Sequence, residues 1–532
     1  MKKLFWPLIP FLFFAVSGFT QALSVNFGEL EYTIPRGHDY VKMVGGDNQS
    51  IFAVRMDEKN QLYLDQYNSS SMQQISANPI TLPIIGDVQS KFVELIFLDG
   101  KLILFTKVVK RSNNIADNTN TDVLYAHYID ETGKVDENSQ TILSDPEDPM
   151  MDVDYSVELS TDGQYIFIHY NRKFTKYAQE KFYLKVIGSD LEKRFGKKIT
   201  LPLDNQVFNI IQYETNKLGY VYMMAEITPE KRSKRTNVST TSQFKLLVYN
   251  VKEDKTSAYD VKAEKFELAN VLMGVDFKGN VDIYGLMSRK GKNELEGFFH
   301  KKFDIEGGKF LAADAKKAYY VFKREELPDF RNERVSERYD QIYNYALKDI
   351  LYLGNDESIV IAEHQNYWVD STPDPQTKTT NYYEYMKYND LLIANTNAQN
   401  NMVWMKRIPK SQVSYNDFGK YSSYYAAANS NGLWAFLFYN DNPKNIKALN
   451  KKVLDGEKYK SCFLPDRSGS PVVVCIASDG DIIGYPMFTK KLQKNIIVPS
   501  MIARYGDYFY TYTQKSIKYK FASFTISLQS FD

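Results

Sequence analysis

The feature that most restricts this chain is a short motif that keeps returning. An apolar, alternating stretch runs into a tight Gly, Asn or Asp turn and out into a second such stretch. It occurs at Gly45-Gly46-Asp47-Asn48-Gln49-Ser50 before Ile51-Phe52-Ala53-Val54, at Leu98-Asp99-Gly100-Lys101 before Leu102-Ile103-Leu104-Phe105, and at Ser160-Thr161-Asp162-Gly163 before Tyr165 to Ile168. Further turns fall at Asn216 to Gly219, Lys278 to Asn280, Gly354 to Asp356, Ser430 to Gly432, Arg467 to Gly469 and Tyr505 to Asp507. Gly, Asn and Asp tolerate the positive φ of tight hairpin turns, so each copy predicts a β-hairpin. Between copies lie further strand-like pieces, such as Val123 to Tyr128 and Phe244 to Tyr249, suited to a small sheet's outer strands.

Small sheets recurring with no helical period between them suggest blades, each covering its faces with its neighbours. The expected fold is all-β, a β-propeller of about seven or eight blades, with Ser24 to Ile34 closing the ring beside strands ending at Leu528. The alternative is a propeller followed by a second β domain, because the spacing lengthens after residue 280. Composition agrees: 40 Tyr and 33 Phe favour pleated positions, and 27 Gly with 18 Pro is too few for a fibrous or disordered chain. The best helical spacing, Asp329 to Ala346, competes with strand alternation at Tyr343, Tyr345 and Leu347. Arg111 to Asp122, Thr228 to Ser242 and Asp370 to Thr380 read as extended loops.

The N-terminus reads as a secretory signal: Lys2-Lys3, an apolar run from Leu4 to Phe14, and Thr20-Gln21-Ala22 before a cleavage site. The expected organisation is a signal peptide over 1–22 and a repeat domain over 23–532. The apolar run is too short for a membrane span, and no Cys near the cleavage site offers a lipid anchor. Two of the 66 Lys and Arg lie in the leader, leaving 64 against 65 Asp and Glu, a formal charge of −1. That balance argues against a nucleic-acid partner.

No nucleophile elbow, HExxH, P-loop or GxGxxG pattern is present, which argues against an enzyme; no catalytic, cofactor or metal residue is assigned. Five His (His38, His127, His169, His300, His364) are scattered. The acidic run Asp145 to Asp154 and the basic Lys231, Arg232, Lys234 and Arg235 read as solvated loops. Cys462 and Cys475 flank a segment that, if Arg467 to Ser470 turns, sets them opposite each other on adjacent strands, making them the disulfide candidate. The densest aromatic stretch, Glu363 to Trp404, supplies the candidate binding surface: Tyr367, Trp368, Tyr382, Tyr383, Tyr385 and Trp404. Such side chains stack on sugars or anchor a protein, and equally pack between blades.

Glu363-His364-Gln365, Ile408-Pro409-Lys410-Ser411-Gln412 and Tyr439 to Asn445 resemble a recurring pattern in uncharacterised exported β-propeller-like proteins of Bacteroidota, over about residues 340–450. No activity comes with that resemblance. It implies a cell with two membranes and so a periplasmic destination, with the cell surface or secretion as alternatives. The C-terminal Phe521 to Asp532 does not resemble a type IX sorting tail. The resulting expectation is a non-enzymatic periplasmic protein-binding propeller with an envelope protein partner, as a soluble subunit of an outer-membrane complex such as a secretion translocon. The alternative is a glycan-binding or carbohydrate-active propeller.

Overall fold

The structure is a computed structural model. It describes residues 20–529 apart from 29–31, 34, 36, 112–119, 139, 145–154, 161–162, 172–180, 201–206, 217–219, 229–241, 293, 312–317, 324–343, 374–375, 377, 430–431, 452–458, 465–468, 489–494 and 516–517. The acidic and basic runs expected to be solvated loops fall outside these residues, as does most of the segment with helical spacing.

Eight mainly antiparallel sheets of four to six strands follow one another along the chain, with a two-stranded ribbon, Ile84–Ile85 and Val88–Gln89, between the first two. The first blade is Asp39–Gly46, Ser50–Met56, Leu62–Asn68 and Gln74–Ile80, each strand paired with the next. Six more blades begin at Lys91, Ser156, Val207, Glu267, Tyr345 and Tyr425. The eighth is shared between the chain ends: Ile496–Ile497 and Ala503–Tyr505 pair with Tyr508–Lys515, then comes Lys518–Gln529, and Thr20–Phe27 pairs outside it from Thr20↔Gln529 to Phe27↔Ala522. Ser24 onward thus closes the ring as expected. Cleavage after Ala22 would leave Leu23 to Phe27 of that strand in place.

Leading strands abut from the first blade to the third and from the fourth to the seventh, and Ala503–Tyr505 of the last abuts Asp39–Gly46 of the first. They therefore form the inner ring. Every blade-to-blade seam holds its own apolar cluster. Leu102-Ile103-Leu104-Phe105 shows why the strand sequences read as continuous apolar runs. Leu102 and Leu104 pack toward the first blade, Ile103 and Phe105 toward the third, because successive strand residues point to opposite faces. The last seam packs Tyr510, Tyr512 and Phe521 on Tyr40, Ile51 and Tyr67. Among the described residues the eight blade sheets pack seam to seam into one ring.

Eight of the nine sequence turns join the first strand of a blade to its second. Asp99 (φ 50°) and Gly100 (φ 74°) both lie in the left-handed region, the signature of a type I′ turn. At Gly432 (φ 68°) an added Cβ would stand 2.2 Å from the Gly354 nitrogen, whose N–H donates to the Gly432 carbonyl (2.7 Å). The exception is Arg467 to Gly469, of which 467 and 468 lie outside the described residues; the strands on either side do not pair with each other. Cys462–Leu464 before it pairs in parallel with Met402–Tyr415 on the sixth blade, and Ser470–Ala477 after it belongs to the seventh.

That geometry overturns the disulfide. Cys462 stands beside Gln412 and packs in the seam between the eighth and first blades, while Cys475 lies between Phe436 and Ile483 and packs toward the eighth blade. No disulfide joins them. Asp370 to Pro373 and Thr380 are also strand, so the expected loop there shrinks to a hairpin tip.

Candidate functional site

The sixth blade departs from the others in the length of its strands. Ser358–Pro373 and Thr380–Thr396 have 16 and 17 residues, and Met402–Tyr415 has 14. Within the blade, Ser358 to Glu363 pair with Thr396 to Leu391, and Ile359 to Ala362 are buried on both faces. The register then shifts between Glu363 and Gln365, and between Asn389 and Leu391 opposite the third strand. Such bulges re-aim a strand, and Pro409 sits where the second one removes the need for its missing N–H. Beyond them the two strands continue paired to Pro373↔Thr380. Eight residues from Asn366 onward extend roughly 26 Å at about 3.3 Å each.

The two faces of this arm differ. One carries a ladder across three strands: Trp368 stacks on Tyr385 (5.2 Å, 7°), and Tyr385 meets Tyr415 (6.2 Å). The other exposes Tyr367 (54%), Val369 (46%) and Tyr382 (68%). Tyr383 faces Asp370 and is half-buried. Gln365 donates its N–H to Asn344, away from the hairpin partner. By strand alternation the N–H groups of Tyr367, Val369 and Ser371 point along that same edge, and no strand pairs it among the described residues.

Trp404 is not part of this surface. Its indole N–H donates to the Ser478 carbonyl (2.9 Å), its ring lies over Gly480, and it packs in the seam to the seventh blade. Of the six aromatic residues read from sequence, five gather on the arm and Trp404 is seam packing. Neither tryptophan lines the cavity between the eighth and first blades or the one bordered by Glu158, Phe167 and Tyr213.

The arm is rooted in buried polar side chains that sequence reasoning did not single out as a site. Lys410 and Glu363, each with no exposed side-chain surface, form an ion pair. The Lys410 ammonium also donates to Gln412 Oε1 (3.0 Å) and lies 5.9 Å from the centres of the Tyr388 and Tyr439 rings. Glu363 Oε2 accepts from Ser423 (2.6 Å) and Gln365 (3.0 Å). Gln412 takes the Ser423 N–H (2.8 Å) and donates to the Asn440 carbonyl (2.8 Å). Asn440 in turn bonds Tyr421 and both backbone groups of Ile497, tying in the eighth blade. Arg407 pairs with Asp390 (2.6 Å), whose other oxygen accepts the Lys410 N–H.

Asp441 borders this group. Its Oδ1 accepts from Asn442 N–H (2.7 Å) and Asn445 (2.8 Å), while Oδ2 has no hydrogen-bond partner among the described residues. Burial pushes its carboxyl up to about 7 against those bonds. Asn442 caps helix Pro443–Asn450, with Pro at the first turn. Asn445 clamps Lys460 through both its N–H and its carbonyl. The three stretches behind the family resemblance, 363–365, 408–412 and 439–445, thus meet at one point in space. With its ammonium and carboxylates closed off from solvent, this centre positions backbone; it has no surface on which to meet a substrate.

The histidines do not converge. His38 bonds Arg55, His127 bonds Thr106 (3.0 Å), His169 lies on the Tyr213 ring (4.1 Å), His300 pairs with Asp282 (2.8 Å) and His364 bonds Asn389 (3.2 Å), each in a different blade. Burial lowers His169 to about 4. Among the described residues no group of three or more His, Cys, Asp or Glu could hold a metal ion.

No protein-family model matches the chain, and no curated protein matches it. Among solved structures, it is similar to the WD40 domain of SCAP from fission yeast (8% identity, TM-score 0.36, 95% of this chain and 98% of that one). It is likewise similar to a polysaccharide lyase, PL25 ulvanlyase (9%, 0.35, 87% and 96%). A third is prolyl oligopeptidase B from Galerina marginata (12%, 0.34), where 84% of this chain matches 48% of the other. Similarities this distant assign neither ligand nor activity.

Proposed function

We propose that the protein is a non-enzymatic binding propeller of the periplasm, which holds a protein partner on its sixth-blade arm as a soluble subunit of an outer-membrane assembly such as a secretion translocon. The observation that carries this reading is the arm itself. A two-stranded ribbon is marginal in water on its own, yet this one projects with Tyr367, Val369 and Tyr382 exposed along one face. Its root is a fully buried ion pair wired into three blades. Rigid aromatic side chains on a fixed support are the usual anchors of a protein interface. The open edge of Tyr367 to Ser371 suits a partner that adds an extended segment to the sheet. The periplasmic reading rests on the leader over 1–22; among the described residues no helix is long and apolar enough to cross a membrane.

Affinity purification from mildly detergent-solubilised envelopes tests this, using wild type and Tyr367→Ala/Tyr382→Ala. A central interface aromatic is worth about 2 kcal/mol or more, so the double variant is expected to recover at least tenfold less partner while keeping its thermal midpoint. Recovery of the wild type as a lone monomer, or equal recovery with both proteins, refutes the reading.

A further inference from the structure

A concave surface lies on the seam where the chain ends meet. A cavity of about 270 Å³ opens between the eighth and first blades, near the lower end of the roughly 300–1,000 Å³ usual for small-molecule sites. The sheet register builds its floor. Asn26, Ser523 and Tyr510 form one row across three strands, since Ser523 pairs with both neighbours. Two residues along, Ser24 pairs with Thr525, and Tyr508 continues that row on the third strand. The wall opposite is Asn48, Ser69 and Ser70, from two turns of the first blade.

The lining is uncharged: Phe524 reaches it between Ser523 and Thr525, and its other residues are Ser, Thr, Asn and Tyr. The side chains of the intervening residues Val25, Phe509 and Phe524 point to the other face, into the apolar seam with the seventh blade. The cavity face carries hydroxyls, amides and two tyrosine rings, with no Asp, Glu, Lys or Arg among the lining residues. The carboxylate of nearby Asp47 is taken up by the N–H groups of Gln49 and Ser50 (2.7 and 2.9 Å). Two of the lining groups are used internally: Asn26 donates to the Ser70 carbonyl and Ser69 to the Asn48 carbonyl (2.5 Å). The hydroxyls of Ser24, Ser70, Ser523, Thr525 and Tyr508 make no protein hydrogen bond among the described residues. Ser24, Ser70 and Tyr508 are exposed, Thr525 is half-buried and Ser523 is buried, so their hydroxyls face the open groove, where water or a ligand can satisfy them. Tyr508, 52% exposed at the rim, presents a ring to whatever enters.

We infer that this groove is a binding site for a neutral saccharide unit. Convergent uncharged donors and acceptors match the hydroxyls of a sugar ring, and the Tyr508 ring offers an apolar, amphipathic face for its C–H surface. An anionic sugar would find no cation among the lining residues to offset its desolvation. The site is independent of the sixth-blade arm, so the two readings succeed or fail separately.

Saturation-transfer NMR with cellobiose, maltose and lactose, each at millimolar concentration, tests the assignment on the full mature chain. At least one disaccharide is expected to bind, at least tenfold more weakly to Tyr508→Ala and not at all to Ser24→Trp, which fills the groove from an exposed position. Both variants should keep the wild-type thermal midpoint, and Tyr367→Ala/Tyr382→Ala should bind sugar like wild type. Should Tyr508→Ala fail to fold, Asn48→Ala on the opposite wall serves in its place. No transfer to any of the three, unchanged binding in the groove variants, or preference for a glucuronic-acid disaccharide overturns the inference.

Discussion

Replacing Lys410 by Met is the sharpest probe of how the sixth-blade arm is held. The substitution keeps the length and apolar stem of the side chain but removes the ammonium. Glu363 would then keep Ser423 and Gln365 as donors while its charge, with no exposed surface, loses the cation that pairs with it among the described residues. Removing one partner of a buried ion pair costs about 3–5 kcal/mol. At about 2 °C per kcal/mol for a large chain, the thermal midpoint should fall by roughly 6–10 °C. Glu363→Gln should cost a similar amount by leaving the ammonium uncompensated. The double variant is the decisive protein: with both charges gone the desolvation penalty disappears, so it should be more stable than either single variant. Urea titration read by tryptophan fluorescence, in a Trp434→Phe background that leaves Trp368 and Trp404 on this blade, reports this locally. Amide exchange at Asn366 to Pro373 should quicken in the single variants and return toward wild type in the double. If the two single costs instead add to within about 0.5 kcal/mol, the ion pair does not hold the arm and the reasoning fails.

Three other outcomes follow from the geometry. The Asp441 carboxyl is raised from 3.8 to about 7, so between those values the folded chain holds a proton that the unfolded chain has lost. Its contribution is therefore complete below about pH 4 and lost as pH rises to about 7, at about 1.4 kcal/mol per unit; the urea-midpoint difference between wild type and Asp441→Asn should shrink across that window, and a pH-independent difference would refute the assignment. The thiols of Cys462 and Cys475 are 0% and 1% exposed, and burial pushes Cys475 up to about 12. Neither should react with a thiol reagent at pH 8 in the native protein, and two should react in denaturant without reductant, where fewer than two would reveal a disulfide. Phe27, edge-on to Phe488 at 4.9 Å, helps fasten the closing strand. Phe27→Ala should cost about 1–2 kcal/mol and speed amide exchange along Ala522 to Ile526, whereas unchanged exchange would show that closure does not depend on it.

The eight-bladed ring was largely legible because its signal is local. A type I′ turn needs positive φ at two successive residues, so Asp99-Gly100 announces its hairpin whatever surrounds it. Strands buried on both faces read as apolar runs such as Leu102 to Phe105. The same local logic failed at Arg467 to Gly469, where a turn-like sequence connects two blades. There the parallel pairing of Cys462–Leu464 with the sixth blade decides, and nothing within the segment encodes it. The Asn442-Pro443 capping signal before helix Pro443–Asn450 was readable, but eight residues of weak periodicity do not stand out among strands.

The site divides along the same line. Aromatic density marked the arm, because Tyr367, Trp368, Tyr382, Tyr383 and Tyr385 are close in sequence and stay close on paired strands. Trp404 is also close in sequence, yet the third strand carries it into the seam beside Gly480. The root of the arm gathers Glu363, Lys410, Gln412 and Asn440 from three separate stretches, and the saccharide groove joins Ser24 to Asn48 and Tyr508 from opposite ends of the chain. Sequence alone determined that this chain makes a ring of hairpin blades and where the blades turn, since turn chemistry and strand alternation act over a few residues. Which side chains meet across blades was decided only by tertiary structure, because ring closure and register bring together residues whose separation along the chain carries no trace of their contact.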